Sequence, residues 1–173
     1  MMKHSAALPL TWFVLRLLIV VNWLYGAALL ALLFFSVTNV QWTFTAFGVP
    51  PSPETRWIVM GMRAIAALGL AAVPLNYAFL KRLLAMVETV RRGDPFIAVN
   101  AARLQTIAWV LLGLQLLSLA IGGIGKAIST PAHPLHLDAG FSLSGWLAVL
   151  LSFVVARVFD HGTQLQDDLE GTV

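Results

Sequence analysis

Four long apolar runs divide the chain, at about Trp12–Phe35, Trp57–Leu80, Leu104–Ile124 and Phe141–Phe159. A helix needs roughly 20 apolar residues to cross the hydrocarbon core of a bilayer, and the four runs are of that order. None alternates apolar and polar positions with the period of two that marks a strand of a membrane barrel. Each is apolar all round, as a helix in lipid is, and not on the single stripe with which a helix covers a soluble core. The pattern predicts an all-α, polytopic integral membrane protein: four transmembrane helices in a single domain covering residues 1–173. Lys3 and His4 ahead of the first run imitate the start of a signal peptide. The run is longer than the roughly 7–15 apolar residues of such a peptide, so it is read as an uncleaved span.

The connections are patterned too. In the linker 81–103, just after Leu80, Leu83, Leu84, Val87 and Val90 recur at helical spacing with Lys81, Arg82, Glu88 and Arg92 between them. The second span is therefore predicted to continue past the membrane as an amphipathic helix. Gly93-Asp94-Pro95 stops it, since glycine suits the C-terminal cap and proline cannot continue a helix. Asn100 is placed to cap the helix that leads through Arg103 into span three. In the first of the other two connections, Val40, Trp42, Phe44 and Ala46 alternate with Gln41, Thr43 and Thr45. That alternation fits a short strand or a segment lying among lipid headgroups, before Val49-Pro50-Pro51-Ser52-Pro53 breaks regular structure. The remaining connection, about 125–140, reads as an irregular solvated loop, and residues 160–173 as a polar tail.

Charge orients the spans. The linker between spans two and three carries Lys81, Arg82, Arg91, Arg92 and Arg103, whereas the other two connections carry Arg56 and Lys126. Lys3, Arg16 and Arg157 fall on the rich side. Cytoplasmic loops of membrane proteins carry the excess of Lys and Arg, so both termini and the linker are expected in the cytoplasm. Trp12, Trp57, Trp109 and Trp146 lie at or near span ends, where an indole favours the interface. Composition agrees: of 173 residues, 59% are hydrophobic and 11% charged, against about 25% charged in soluble domains. The net charge of +3 comes from few basic residues interleaved with apolar runs, so direct nucleic-acid binding is not expected.

Several chemistries are missing. The chain has no cysteine, which removes disulfides, thiolate metal sites and thiol relays. No Asp, Glu or His lies inside a span. Proton-coupled transport usually needs such a group at depth, and a haem-binding bundle needs axial ligands there. No nucleophile–base pair or metal cluster stands out, so neither an enzyme nor a cofactor is expected. His133, His136 and Asp138 match no zinc spacing.

Arg63 is the clear ionisable residue within a span, about 9 Å along the helix from Trp57. It is either a snorkelling structural arginine or the centre of an intramembrane polar cluster with Asn22 and Gln115, able to hold the bundle together or to bind a small anionic group. On the cytoplasmic side, Arg91, Arg92, Asp94, Asn100 and Arg103 of the linker and Asp167, Asp168 and Glu170 of the tail form a candidate interaction surface. The tail acids are candidates to pair with Arg91, Arg92 or Arg103. Small residues at helical spacing mark candidate helix contacts: Ala27 and Ala31; Gly61, Ala64, Ala67 and Ala71; and Ser144, Ala148, Ser152 and Ala156. Such contacts serve either the chain itself or a homo-oligomer.

The run Thr89-Val90-Arg91-Arg92-Gly93-Asp94-Pro95-Phe96, followed by Asn100-Ala101 and Arg103-Leu104, resembles the signature of an uncharacterised bacterial membrane family, the domain of unknown function DUF2975. The stretches Phe141-Ser142-Leu143 and Gly145-Trp146-Leu147-Ala148-Val149-Leu150 and the ending Asp168-Leu169-Glu170-Gly171-Thr172-Val173 are similar to the C-terminal part of that family. Family versions often have Pro-Glu where this chain has Ala98-Val99. The resemblance implies a four-helix protein of the bacterial inner membrane and supplies no catalytic residues. Some relatives are encoded beside a helix-turn-helix regulator, which implies a cytoplasmic protein partner of that kind. The expectation is a non-enzymatic membrane protein acting on a regulatory partner through its linker and tail, with the lipid bilayer as its other partner. The alternative is a small solute transporter or channel-like protein built on the polar cluster.

Overall fold

The computed structural model describes residues 7–46, 48, 50–52, 55–93, 97–131, 134–135 and 137–170, the side chains of 7 and 165–170 excepted. Five helices run through them: α1 (Ala7–Thr38), α2 (Val40–Ala46), α3 (Arg56–Arg92), α4 (Ala98–Ile128) and α5 (Leu143–Glu170). All but α2 are long and apolar enough to cross a membrane, and the chain is a multi-pass all-α membrane protein. With 37 residues, α3 is about 55 Å long against a hydrocarbon core of about 30 Å. The linker helix predicted beyond span two is thus its direct continuation. Likewise α5 carries on through Gly162 to Glu170, so the polar tail is helical where it is described. Leu17, Val21, Leu24 and Phe34 on α1 and Leu147, Leu150, Leu151 and Val158 on α5 are all exposed. Soluble monomers rarely show contiguous apolar patches beyond a few hundred Å², and this surface is one for lipid.

The chain divides into two compact units, the first of Met1–Asn22, Leu75–Gly113 and Leu143–Val173, the second of Trp23–Pro74 and Leu114–Ser142. In the first unit, Ala101 and Ala108 of α4 are buried, as are Val149, Ala156 and Thr163 of α5. Both sets recur every seven residues, the spacing of a left-handed helix–helix seam. Trp109 meets Phe153 edge to face at 5.2 Å. It lies about three turns inside α4, not near its end, because α4 begins earlier than the apolar run suggests. The four-residue seam expected on α5 is only partly packed: Ala156 is buried and Ser152 half-buried, whereas Ser144 and Ala148 are exposed. A strict spacing of four drifts about 40° round a helix per step, so such a line slides off a face that repeats every seven.

In the second unit, Phe44 of α2 packs with Ile58 and Val59 of α3. Close approach is made by glycines. Val73 lies against Gly26, where an added methyl would stand 3.0 Å from its Cγ1, and Ile128 packs directly onto Gly61. Of the expected small-residue lines, Ala27, Ala31, Ala64, Ala67 and Ala71 are exposed.

The segment 40–46 is a helix, which corrects the strand reading. A lone strand leaves its N–H and C=O groups unpaired beside the bilayer, whereas a helix satisfies them internally. A break at Asn39 separates it from α1, bridged by Asn39 N to the Phe35 carbonyl (2.9 Å) and Thr43 N to the Asn39 carbonyl (3.1 Å). The connection before α5 is not a free loop either. Ser118 Oγ of α4 donates to the Gly140 carbonyl (3.3 Å) and accepts from Gly140 N (3.1 Å). Gly140 has φ 129°, a conformation open to glycine.

Candidate functional site

The α3–α4 hairpin in the first unit is built on a buried amide. Asn100 is fully buried, in the first turn of α4. It is therefore inside the helix and not its cap: α4 begins at Ala98, and Asn100 N donates to the Ile97 carbonyl at 2.8 Å. Its Nδ2 donates to Thr89 Oγ1 of α3 (2.8 Å), and its Oδ1 accepts from Arg103 Nη1 (2.9 Å). The same Nη1 reaches back to the Ala85 carbonyl (3.2 Å). The amide donor thus ties α4 to α3 directly, while the acceptor holds Arg103 of α4, whose guanidinium makes the second tie at Ala85. Gly93, with φ 95°, closes the end of α3 and donates to the Val90 carbonyl at 3.2 Å, as the sequence predicted for a C-terminal glycine.

Outside the clamp α3 ends in two basic residues. Arg91 and Arg92 are both exposed. Arg92 pairs with Glu88 at 3.2 Å, four residues before it on the same helix, an exposed pair of small energetic weight. Arg91 stands over the Trp12 ring at 5.9 Å, and Arg16 over the same ring at 3.9 Å. A guanidinium within about 6 Å of an indole centroid is a cation–π contact. Of the predicted interaction surface, then, Arg91 and Arg92 are available, Arg103 is half-buried in the clamp, and Asn100 is inside. Asp94 lies outside the described residues, as do the side chains of Asp167, Asp168 and Glu170 and, in the other connection, His133 and His136.

In the second unit, Arg63 is half-buried and turns to the end of α1. Its Nε donates to Ser36 Oγ at 3.0 Å and its Nη2 to the Ser36 carbonyl. That carbonyl is among the last of α1, which have no donor within the helix. Thr43 Oγ1, fully buried, donates to it as well at 3.1 Å. An unpaired backbone group buried away from water costs free energy comparable to a lost hydrogen bond, so the node of Ser36, Thr43 and Arg63 stabilises the break at Asn39. Sequence reasoning passed over Ser36, Thr43 and Thr89, because a lone hydroxyl residue carries no pattern by which its partner can be found.

Gln115 has a different partner: its Nε2 lies 3.5 Å from the Ser142 carbonyl at the start of α5. Asn22 belongs to the first unit. Among the described residues no group of three or more His, Cys, Asp or Glu side chains is placed to hold a metal ion.

The model of one protein family, described as a protein of unknown function (DUF2975), matches residues 37–173. No curated protein and no solved structure matches the chain.

Proposed function

We propose, for a chain that belongs to the DUF2975 family and takes no assigned activity from it, a non-enzymatic interaction protein of the bacterial cytoplasmic membrane. In this reading both termini and the α3–α4 hairpin face the cytoplasm, and the hairpin end is a docking surface for a soluble regulatory protein. Arg91 and Arg92 are its charged contacts and favour an acidic face on the partner.

The observation that carries the reading is the Asn100 clamp. Thr89, Asn100 and Arg103 are engaged with one another and with the Ala85 carbonyl, which holds the hairpin in one shape while Arg91 and Arg92 stay exposed. A preorganised surface binds with less loss of conformational entropy than a flexible loop. Orientation is supported by charge: only Arg56, Arg63 and Lys126 of the eleven Lys and Arg residues belong to the second unit.

Photo-crosslinking in cells from a probe at Glu88, next to Arg92, tests this. One soluble protein should be captured, and capture should fall roughly tenfold in Arg91→Glu/Arg92→Glu, as expected for losing charged contacts at an interface. Products containing only lipid or the chain itself would contradict the docking role.

The alternative, a small solute transporter or channel-like protein, draws on Arg63. Two of its donors are committed to the end of α1, which favours a supporting role for this side chain over one in a solute path.

A further inference from the structure

The second unit contains a cleft of ≈ 410 Å³ between α1, α2 and α3, with Ile121 of α4 also on its wall, within the roughly 300–1,000 Å³ of ligand sites in general. Tyr25, Leu29, Leu33, Ile65 and Gly69 line it along its length, and Ser36, Trp42 and Arg63 line it together at one end of α1. Gly69 keeps it open beside α1: a methyl there would stand 3.3 Å from Leu29 Cδ1. The lining is apolar apart from the two hydroxyl groups, Trp42 and the single guanidinium.

Arg63 supplies what an apolar cleft alone lacks, a reason for one kind of occupant. A guanidinium has five N–H donors. The Nε and Nη2 bonds to Ser36 leave three of them over, and among the described residues no carboxylate pairs with it. A cation at the edge of hydrocarbon is costly unless an anion or water meets it, and a guanidinium fork fits phosphate oxygens.

Length supplies a second reason. From Arg16, beside the Trp12 ring, to Ser36 is about 30 Å of helix, the thickness of the hydrocarbon core. Ser36 is two residues from the end of α1, and Arg63 is bonded to it. From Ser36 to Tyr25 is about 16 Å of α1, close to the hydrocarbon depth of one leaflet, half of about 30 Å.

We propose that this cleft binds one anionic phospholipid, its phosphate held by Arg63 and one acyl chain running beside α1 towards Tyr25. The phosphate meets donors that the end of α1 leaves over, and the chain covers apolar surface that no helix of the unit covers. Arg63 thus both supports the break at Asn39 and selects the headgroup. The site is separate from the hairpin surface and stands or falls without it.

Native mass spectrometry of the full chain in neutral detergent tests the proposal. Phosphatidylglycerol and phosphatidylcholine with the same acyl chains are added in equal amounts. One phosphatidylglycerol should be retained in preference by roughly tenfold, because the choline ammonium of the other lipid neutralises the phosphate that the Arg63 guanidinium would meet. Arg63→Gln should remove the preference. Arg56→Gln, on the same helix but outside the cleft, should keep it. Ala66→Trp, which fills the cleft and leaves Arg63 in place, should abolish retention of either lipid, and it decides the matter should Arg63→Gln not fold by circular dichroism. Equal retention of the two lipids by the natural chain would overturn the proposal. So would an equal loss in Arg56→Gln and Arg63→Gln, unchanged retention in Ala66→Trp, or displacement of the phospholipid by equimolar palmitate, which would assign the cleft to a free fatty acid.

Discussion

A polar side chain removed from water needs its hydrogen-bonding groups matched, and Asn100 is matched on both its amide nitrogen and its oxygen. Truncating it leaves Thr89 and Arg103 each short of a partner in a half-buried place, and a polar group left without its partner costs about 1–3 kcal/mol. Asn100→Ala should therefore lower stability by about 2 kcal/mol, read from thermal or denaturant unfolding of the chain in detergent. Unfolding unchanged from the natural chain would show that the clamp contributes nothing. At this scale the sequence was only partly legible. Gly93 announced its role as a helix stop, because a glycine that ends a helical run two residues before a proline has few other uses. Asn100 was placed as a cap because an Asn ahead of an apolar run usually is one. What decided otherwise was a threonine eleven positions away on another helix, and no local pattern links the two.

Helices were the most legible elements, since an apolar run of membrane length has one economical fold. Their ends were less so. The exposed parts of α3, α4 and α5 extend past the apolar runs, where hydropathy falls away but hydrogen bonding along the helix does not. The segment 40–46 shows the weakness of alternation as a sign over so few residues: seven positions fit a strand or two turns of helix equally. The connection before α5 shows another. Proline and polar residues there suggested a solvated loop, yet Gly122 lets the backbone at Ala139 and Gly140 lie directly on α4. A methyl group on Gly122 would stand 2.6 Å from the Ala139 carbonyl oxygen and from Gly140 Cα. Because those atoms are backbone, the connection must move as a whole. Gly122→Ala should then break the Ser118–Gly140 bonds and free the backbone at Ala139 and Gly140, seen as several-fold faster proteolysis or hydrogen exchange, the mark of local opening. Exchange equal to that of the natural chain would mean that the contact is not needed to hold the connection.

At the scale of the whole molecule, one asymmetry ties the reading together. Eight of the eleven basic residues lie in the first unit, Arg56, Arg63 and Lys126 being those in the second. The first unit also holds the hairpin, the Trp12 ring with its contacts to Arg16 and Arg91, and the helical tail. If Lys and Arg mark the cytoplasmic side, docking surface, linker and both termini share one compartment. The sequence carried this division in its charges, although it did not reveal which charges are spent on structure, as Arg103 is. The chain lends itself to a direct test because it has no cysteine, so a single introduced thiol reports one position without background. Arg92→Cys on the hairpin and Asp138→Cys on the connection before α5, each in intact cells, would be exposed to a membrane-impermeant maleimide. The account predicts labelling of Asp138→Cys alone, with Arg92→Cys labelled only once the membrane is opened. Labelling of Arg92→Cys in intact cells, with Asp138→Cys protected, would put the hairpin outside the cytoplasm and contradict the account at its centre.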